Sequence, residues 1–141
     1  MKIEQADNYR ESIIALLTAE KLPVADLPEP LENFAVSKQG DDVTGVIGLE
    51  IYGDYALLRS LAVNSKFRNQ GIADGLLHHI EKLAAAKNLK AVYLLTETAP
   101  GYFIRKGYQT ITRADVPAEV QQSSEFSHVC PQSAIVMQKF L

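Results

Sequence analysis

Cysteine is nearly missing from this chain. The single one, Cys130, excludes an intrachain disulfide and a zinc site built on cysteines. It is read as a small buried side chain rather than a reactive thiol. Charge of one sign is scarce too. Acids and bases are interspersed and leave a net charge of −3, so there is no long basic face of the kind that binds nucleic acid by releasing counterions. Only a small basic cluster stands out, around Lys66 and Arg68. No apolar run approaches the length that spans a bilayer, and the opening MKIEQADNYRE lacks the apolar core of a signal peptide. A cytoplasmic location without membrane or nucleic-acid partners is expected. Internal repeats, low-complexity tracts and linkers are absent as well. A chain of 141 residues with a 47% hydrophobic fraction is then expected to fold as one domain, 1–141, around a single core.

The stretch that organises the rest is Leu57 to Lys87, LLRSLAVNSKFRNQGIADGLLHHIEKLAAAK. It reads as an apolar strand, a short polar turn and an amphipathic helix from about Ile72, with Ile72, Leu76, Ile80 and Leu83 on one face. The first N–H groups of a helix have no partner inside it, and the helix dipole favours an anion there, so such a turn can hold phosphate. Two phosphate-binding classes are excluded by what the turn lacks. A Walker-type loop needs Gly-Lys-Ser/Thr, and a dinucleotide fingerprint needs Gly-x-Gly before the helix.

The flanking chain alternates strands and helices. Residues 2–5 make a short strand, and Asp7 or Asn8 is placed to cap a helix with Tyr9, Ile13, Leu16 and Leu17 at helical spacing, ended at Lys21-Leu22-Pro23. Pro23 to Pro30, rich in proline and carrying acids among apolar residues, is an ordered loop that either covers a substrate or merely connects. Asn33–Lys38, Val43–Tyr52 and Tyr55–Val63 form a meander through turns at Gln39–Asp42 and Gly53-Asp54. After the central helix, Ala91–Thr96 has the continuous apolar character of a buried strand, and the strand–helix–strand succession predicts that it lies parallel beside Tyr55–Val63. A short helix Thr98–Lys106, started near Pro100 and stopped by Gly107, a strand Tyr108–Arg113, a helix from Pro117 to Phe126 and a last strand Ser133–Phe140 complete a mixed α/β order. That last strand is free to pair across a dimer, so a monomer or a homodimer is expected.

Arg68-Asn69-Gln70-Gly71-Ile72-Ala73 resembles the R/Q-x-x-G-x-G/A signature of the GNAT superfamily of N-acetyltransferases, and it stands where that signature belongs, between strand and helix. The preceding strand ends in the L-x-V form, Leu61-Ala62-Val63. The segment Phe103-Ile104-Arg105-Lys106-Gly107-Tyr108 resembles the Y-x-x-x-G-F/Y element, and the order of elements is similar along nearly the whole chain. The resemblance implies a mostly antiparallel central sheet of six to seven strands with helices on both faces. It also implies acetyl-CoA as co-substrate, no metal, and acetyl transfer to the amine of a small molecule, possibly amino-acid-like or bearing an oxyanion. Further segments, Gly48–Gly53, Leu57–Val63, Glu125-Phe126 and Cys130–Ala134, are similar to a subgroup associated with arsenic-resistance operons.

In that frame the turn Arg68, Asn69, Gln70, Gly71, Ile72 and Ala73 would hold the pyrophosphate, with Gly71 letting the backbone come close and Arg68 adding charge-assisted bonds. Backbone N–H groups of Leu61, Ala62 and Val63 would polarise the thioester carbonyl. Thr96 takes the place of an Asn that bonds the pantetheine arm. Glu50 is the candidate base for the amine; its plainer reading is a solvated acid on a sheet face. The Tyr that usually protonates the leaving thiolate is Phe103 here, with Tyr102 as substitute, or else solvent serves. Arg59, in an apolar strand, must be paired: with Glu50, or with an acidic group of the substrate. By strict alternation it shares a face with Leu57, Leu61 and Val63. His78 and His79 belong to the wet flank of the helix, and with His128 distant in sequence they are not expected to bind metal. The absence of a tyrosine at Phe103 also admits a second class of function, a catalytically weak acyl-CoA-binding module or sensor.

Overall fold

Residues 2–126 and 133–141 are described by a computed structural model. The seven strands are β1 (Lys2–Gln5), β2 (Phe34–Gln39), β3 (Asp42–Tyr52), β4 (Tyr55–Val63), β5 (Ala91–Thr96), β6 (Gln109–Ile111) and β7 (Ile135–Phe140). They form one sheet in the order β1-β2-β3-β4-β5-β7-β6, antiparallel at four of its described pairings and parallel between β4 and β5. Helices of the described residues include α1 (Arg10–Ala19), α2 (Ile72–Ala86), α3 (Pro100–Arg105) and a single turn, α4 (Ala118–Gln121), with further helical residues at 124–126. The expected mixed α/β order is present, with seven strands. Expectations resting on His128 and Cys130–Gln132 lie outside the described residues. The chain divides into two compact units, one of Met1–Leu49 with Arg59–Leu83, the other of Glu50–Leu58 with Ala84–Leu141.

In the first unit α1 buries Ile13, Leu16 and Leu17 against Leu27, Leu31, Phe34, Val36, Val46 and Ala62. Neither Asp7 nor Asn8 caps it. A 3-10 turn over Asp7–Tyr9 runs straight into the helix, whose N-cap is Tyr9 with no side-chain bond. Two glycines of β3 explain close approaches. A Cβ on Gly48 would lie 2.4 Å from the Phe34 ring, which covers it from the paired position on β2. A Cβ on Gly45 would meet Leu76 of α2 at 2.9 Å, so the missing side chain lets the helix settle onto the strand.

The second unit is built on Leu57, Ala91, Tyr93, Val116, Val120, Phe126 and Val136. The parallel register covers Tyr55 to Leu57 against Ala91 to Tyr93. β7 pairs with β5 along its full length and with β6 along Val136–Gln138. Both of its edges are therefore used within the chain, which corrects the expectation that it might pair across a dimer. The expected strand Tyr108–Arg113 is shorter, because Arg113–Asp115 forms a 3-10 turn closed by a reciprocal Thr112–Asp115 capping box. The expected long helix after Pro117 is interrupted: α4 ends at Gln121, and helical geometry resumes over residues 124–126. Burial pushes the Tyr93 phenol up, opposed by donation from Gln138 Nε2 at 2.8 Å and reinforced by Tyr55.

Three helices end on the same device. The residue just past each C-cap has positive φ (Lys21 59°, Asn88 60°, Gly107 95°). The next residue, Leu22, Leu89 or Tyr108, donates its N–H back across the turn to Leu17, Ala84 or Phe103. This is the Schellman arrangement, completed at the end of α3 by the apolar contact it favours, between Phe103 and Tyr108.

Candidate active site

Leu57–Val63 does not run as a regular strand. Ser60 sits at φ 61°, left-handed backbone that a non-glycine residue adopts at a cost of about 1–2 kcal/mol. A residue of this kind kinks the strand and interrupts its period-two alternation, so the strict alternation expected for Arg59, Leu61 and Val63 does not hold across it. After the kink Ala62 is buried in the core of the first unit, while Leu61 and Val63 are half-buried.

Arg59 has a partner that the sequence reading missed. Its Nη1 and Nη2 donate to the two carboxylate oxygens of Asp26 at 2.8 and 2.9 Å, and its Nε donates to Ser60 Oγ at 3.0 Å. The Arg59 side chain is 0% exposed and that of Asp26 11%. The Phe34 ring lies 6.0 Å from the guanidinium carbon. Asp26 belongs to the proline-rich loop, which is anchored within the first unit. Leu27 and Leu31 are buried, and Arg10 Nη1 donates to the Pro28 carbonyl at 2.7 Å. The requirement that a buried arginine be paired was legible; Asp26 as one of its partners was not.

The turn follows at once. Asn64 accepts from the Lys66 N–H at 3.0 Å and caps a 3-10 turn over Ser65–Phe67. Arg68 is extended, Asn69 has φ 63° and Gly71 φ 79°. A Cβ on Gly71 would meet nothing within 4 Å, so glycine serves the left-handed backbone here and not a tight packing. Arg68, Asn69, Gln70 and Gly71 are exposed, whereas Ile72 turns its side chain into the core and Ala73 is half-buried. Arg68 pairs with Glu20, the C-cap of α1, and Gln70 Oε1 accepts from Gln39 Nε2 at 3.3 Å. The helix that starts here is fifteen residues long, enough for a full dipole at its N-terminus.

The remaining candidates stand in the second unit. Glu50, half-buried, accepts a hydrogen bond from the Tyr52 hydroxyl two residues along β3, a partner that strand spacing alone could have named. Thr96 Oγ1 accepts from the Ala99 N–H at 3.1 Å, which leads β5 into α3; a hydroxyl that accepts there still carries a proton to donate. Tyr102 is half-buried, edge-on to Phe103 at 5.2 Å, with Lys106 Nζ 5.6 Å from its ring centre. Phe103 is buried, and its carbonyl and ring both receive Tyr108, the rings 5.5 Å apart. His78 and His79 are exposed on α2. Among the described residues no cluster of three or more potential metal ligands occurs, and no helix is long and apolar enough to cross a membrane.

Fold and turn together define a class: a mixed sheet whose kinked fourth strand feeds a polar turn and an anion-favouring helix start. The family model for the acetyltransferase (GNAT) family matches residues 4–103, so the chain belongs to that family. It is 31% identical over 101 residues to an uncharacterized N-acetyltransferase of Chlorobaculum tepidum, a match covering 71% of this chain and 64% of that protein. To an amino-acid acetyltransferase of Pseudomonas fluorescens it is 35% identical over 94 residues, 65% of this chain and 22% of that protein. The chain thus matches less than two thirds of either relative. Among solved structures, Rv2747 from Mycobacterium tuberculosis, in complex with CoA, superposes with a TM-score of 0.84 at 23% identity, over 100% of this chain and 99% of that one.

Proposed function

We propose that this chain is an acetyl-CoA-dependent N-acetyltransferase that transfers acetyl directly to the amine of a small molecule, amino-acid-like or bearing an oxyanion. The observation that carries it is the exposed left-handed turn Asn69–Gly71 at the head of a long helix, in a chain of the GNAT family. The amino-acid class of acceptor is supported by the relative from Pseudomonas fluorescens. The segments Gly48–Gly53 and Leu57–Val63 support the arsenic-resistance subgroup by their wording alone.

In this reading, the N–H groups opening α2 and the Arg68 guanidinium hold the pyrophosphate. Thr96 bonds the pantetheine arm and Phe103 packs beside it. An ammonium substrate gives one proton to Glu50, whose carboxylate Tyr52 holds in place. The amine nitrogen attacks the thioester carbon, and the N–H groups of Leu61 to Val63 bond the developing oxyanion. The C–N bond forms and the C–S bond breaks. The second proton passes from nitrogen to the leaving thiolate through Tyr102 or water.

The second reading, an acyl-CoA-binding sensor without useful turnover, draws on Phe103, which is buried and has no proton to give. The two are separated by incubating the protein with acetyl-CoA and a panel of amino acids and amine-bearing oxyanions. Release of free thiol above the amine-free rate is expected. Tight CoA binding with no thiol released across the panel would favour the sensor, and no CoA binding would sink both.

A further inference from the structure

We infer that Asp26 is a positioning residue for the thioester-binding backbone, acting through Arg59 and Ser60; the inference rests on the acetyltransferase reading of that backbone. The links are continuous. Asp26 holds both terminal nitrogens of Arg59 in a fork, and the third nitrogen holds Ser60 Oγ. Ser60 is the residue whose φ of 61° kinks β4, and the next three residues carry the N–H groups assigned to the carbonyl oxygen. Backbone held in a sparsely populated region persists where its surroundings over-determine it. A planar guanidinium with all three nitrogens engaged does so here, because it cannot rotate without breaking a bond.

The anchor itself is fixed. Its loop is tied to α1 by Arg10, which donates to the Pro28 and Leu27 carbonyls at 2.7 and 3.3 Å, and Leu27 and Leu31 are buried on either side of the prolines. A buried ion pair rarely stabilises a fold more than apolar side chains of the same volume would, so stability alone is a weak reason for one at this place. Orientation is a better one. Removing a single oxyanion donor costs an enzyme on the order of 100-fold to 1,000-fold in kcat, and donors tilted away from the oxygen forfeit part of that.

The test uses Asp26→Asn, which keeps the shape and loses the charge, and Asp26→Glu, which keeps the carboxylate. The exposed pair Asp54–Lys90 provides the control variant, Asp54→Asn. Asp26→Asn is expected to lower kcat about tenfold or more while the KM for the amine and the Kd for CoA stay within about threefold. Asp26→Glu is expected to recover a substantial part of kcat. In the 15N-labelled protein the amide signals of Ser60 to Val63 are expected to move with Asp26→Asn and to stay put with Asp54→Asn. An unchanged kcat, or a raised amine KM at constant kcat, would overturn the inference, the latter by making Asp26 a substrate contact. If wild type turns over no amine, the enzyme reading fails and the amide signals alone decide the linkage. Loss of folding in both Asp26 variants would make the pair purely structural and would overturn the inference as well.

Discussion

Two arginines flank the kinked end of β4, and each is paired with an acid from the segment that ends α1 and follows it. Arg59 meets Asp26 with a side chain 0% exposed, through two parallel bonds. Arg68 meets Glu20 with side chains 55% and 24% exposed, at the mouth of the turn. The chemistry is the same and the physics is opposite. An exposed pair is screened by water and salt, contributes about 0–1 kcal/mol, and can exchange its partner for an arriving anion. A buried pair gains little over apolar packing when intact, but removing one member leaves a charge with nowhere to go, at about 3–5 kcal/mol. Arg59 is therefore suited to hold geometry and Arg68 to greet a ligand.

The largest effect expected is that of Arg59→Ala. It strands the Asp26 carboxylate and removes the bond to Ser60 Oγ, so urea denaturation should show a loss of about 3–5 kcal/mol, nearly independent of salt. A loss below about 1 kcal/mol would mean that the buried pair behaves like the exposed one, and the contrast would collapse. Next comes Gly71→Val, which separates the backbone of the turn from the guanidinium beside it. No atom lies within 4 Å of the added Cβ, so the fold should survive with a modest strain, whereas a β-branched residue at φ 79° must reshape the turn. CoA affinity by calorimetry is expected to fall at least tenfold with the thermal midpoint only a few degrees lower. Unchanged affinity would refute the assignment of the phosphate turn.

Legibility in the sequence followed the range of the interaction. The element order was readable because helix and strand periods are local, and Leu57–Lys87 announced itself through a strand, a turn and a helix in immediate succession. Where a short-range competitor intervened, the reading overshot. The 3-10 turn closed by Thr112 and Asp115 shortened one strand, and the helix expected after Pro117 is broken after Gln121 before helical geometry resumes at residues 124–126. Phe103 was read for the proton it lacks, yet Phe-x-x-x-Gly-Tyr is also the wording of a helix end, with the apolar residues placed to meet across a left-handed glycine. Asp26 was illegible for a different reason. Nothing in the spacing relates residue 26 to residue 59, and the partner expected for the buried arginine was Glu50 or an acid of the substrate. Ser60 gave no signal at all, since serine has no preference for positive φ.

The smallest effect belongs to the exposed pair, and it decides whether Arg68 serves the ligand. Arg68→Ala and Glu20→Gln each remove the same charge pair, so on stability they should be nearly indistinguishable, within about 1 kcal/mol of wild type and of each other. On CoA they should part. Removing the arginine takes away a charge-assisted donor from the turn, and affinity is expected to drop severalfold at low ionic strength, with the deficit shrinking as salt rises. Removing the acid frees the guanidinium from its internal competitor and takes a negative charge from the approach of an anionic ligand, so affinity is expected to hold or to rise slightly. Equal losses in the two variants would show instead that the pair matters by bracing the turn against α1. Arg68 would then share the role of Arg59, and the difference between the two would be one of depth alone.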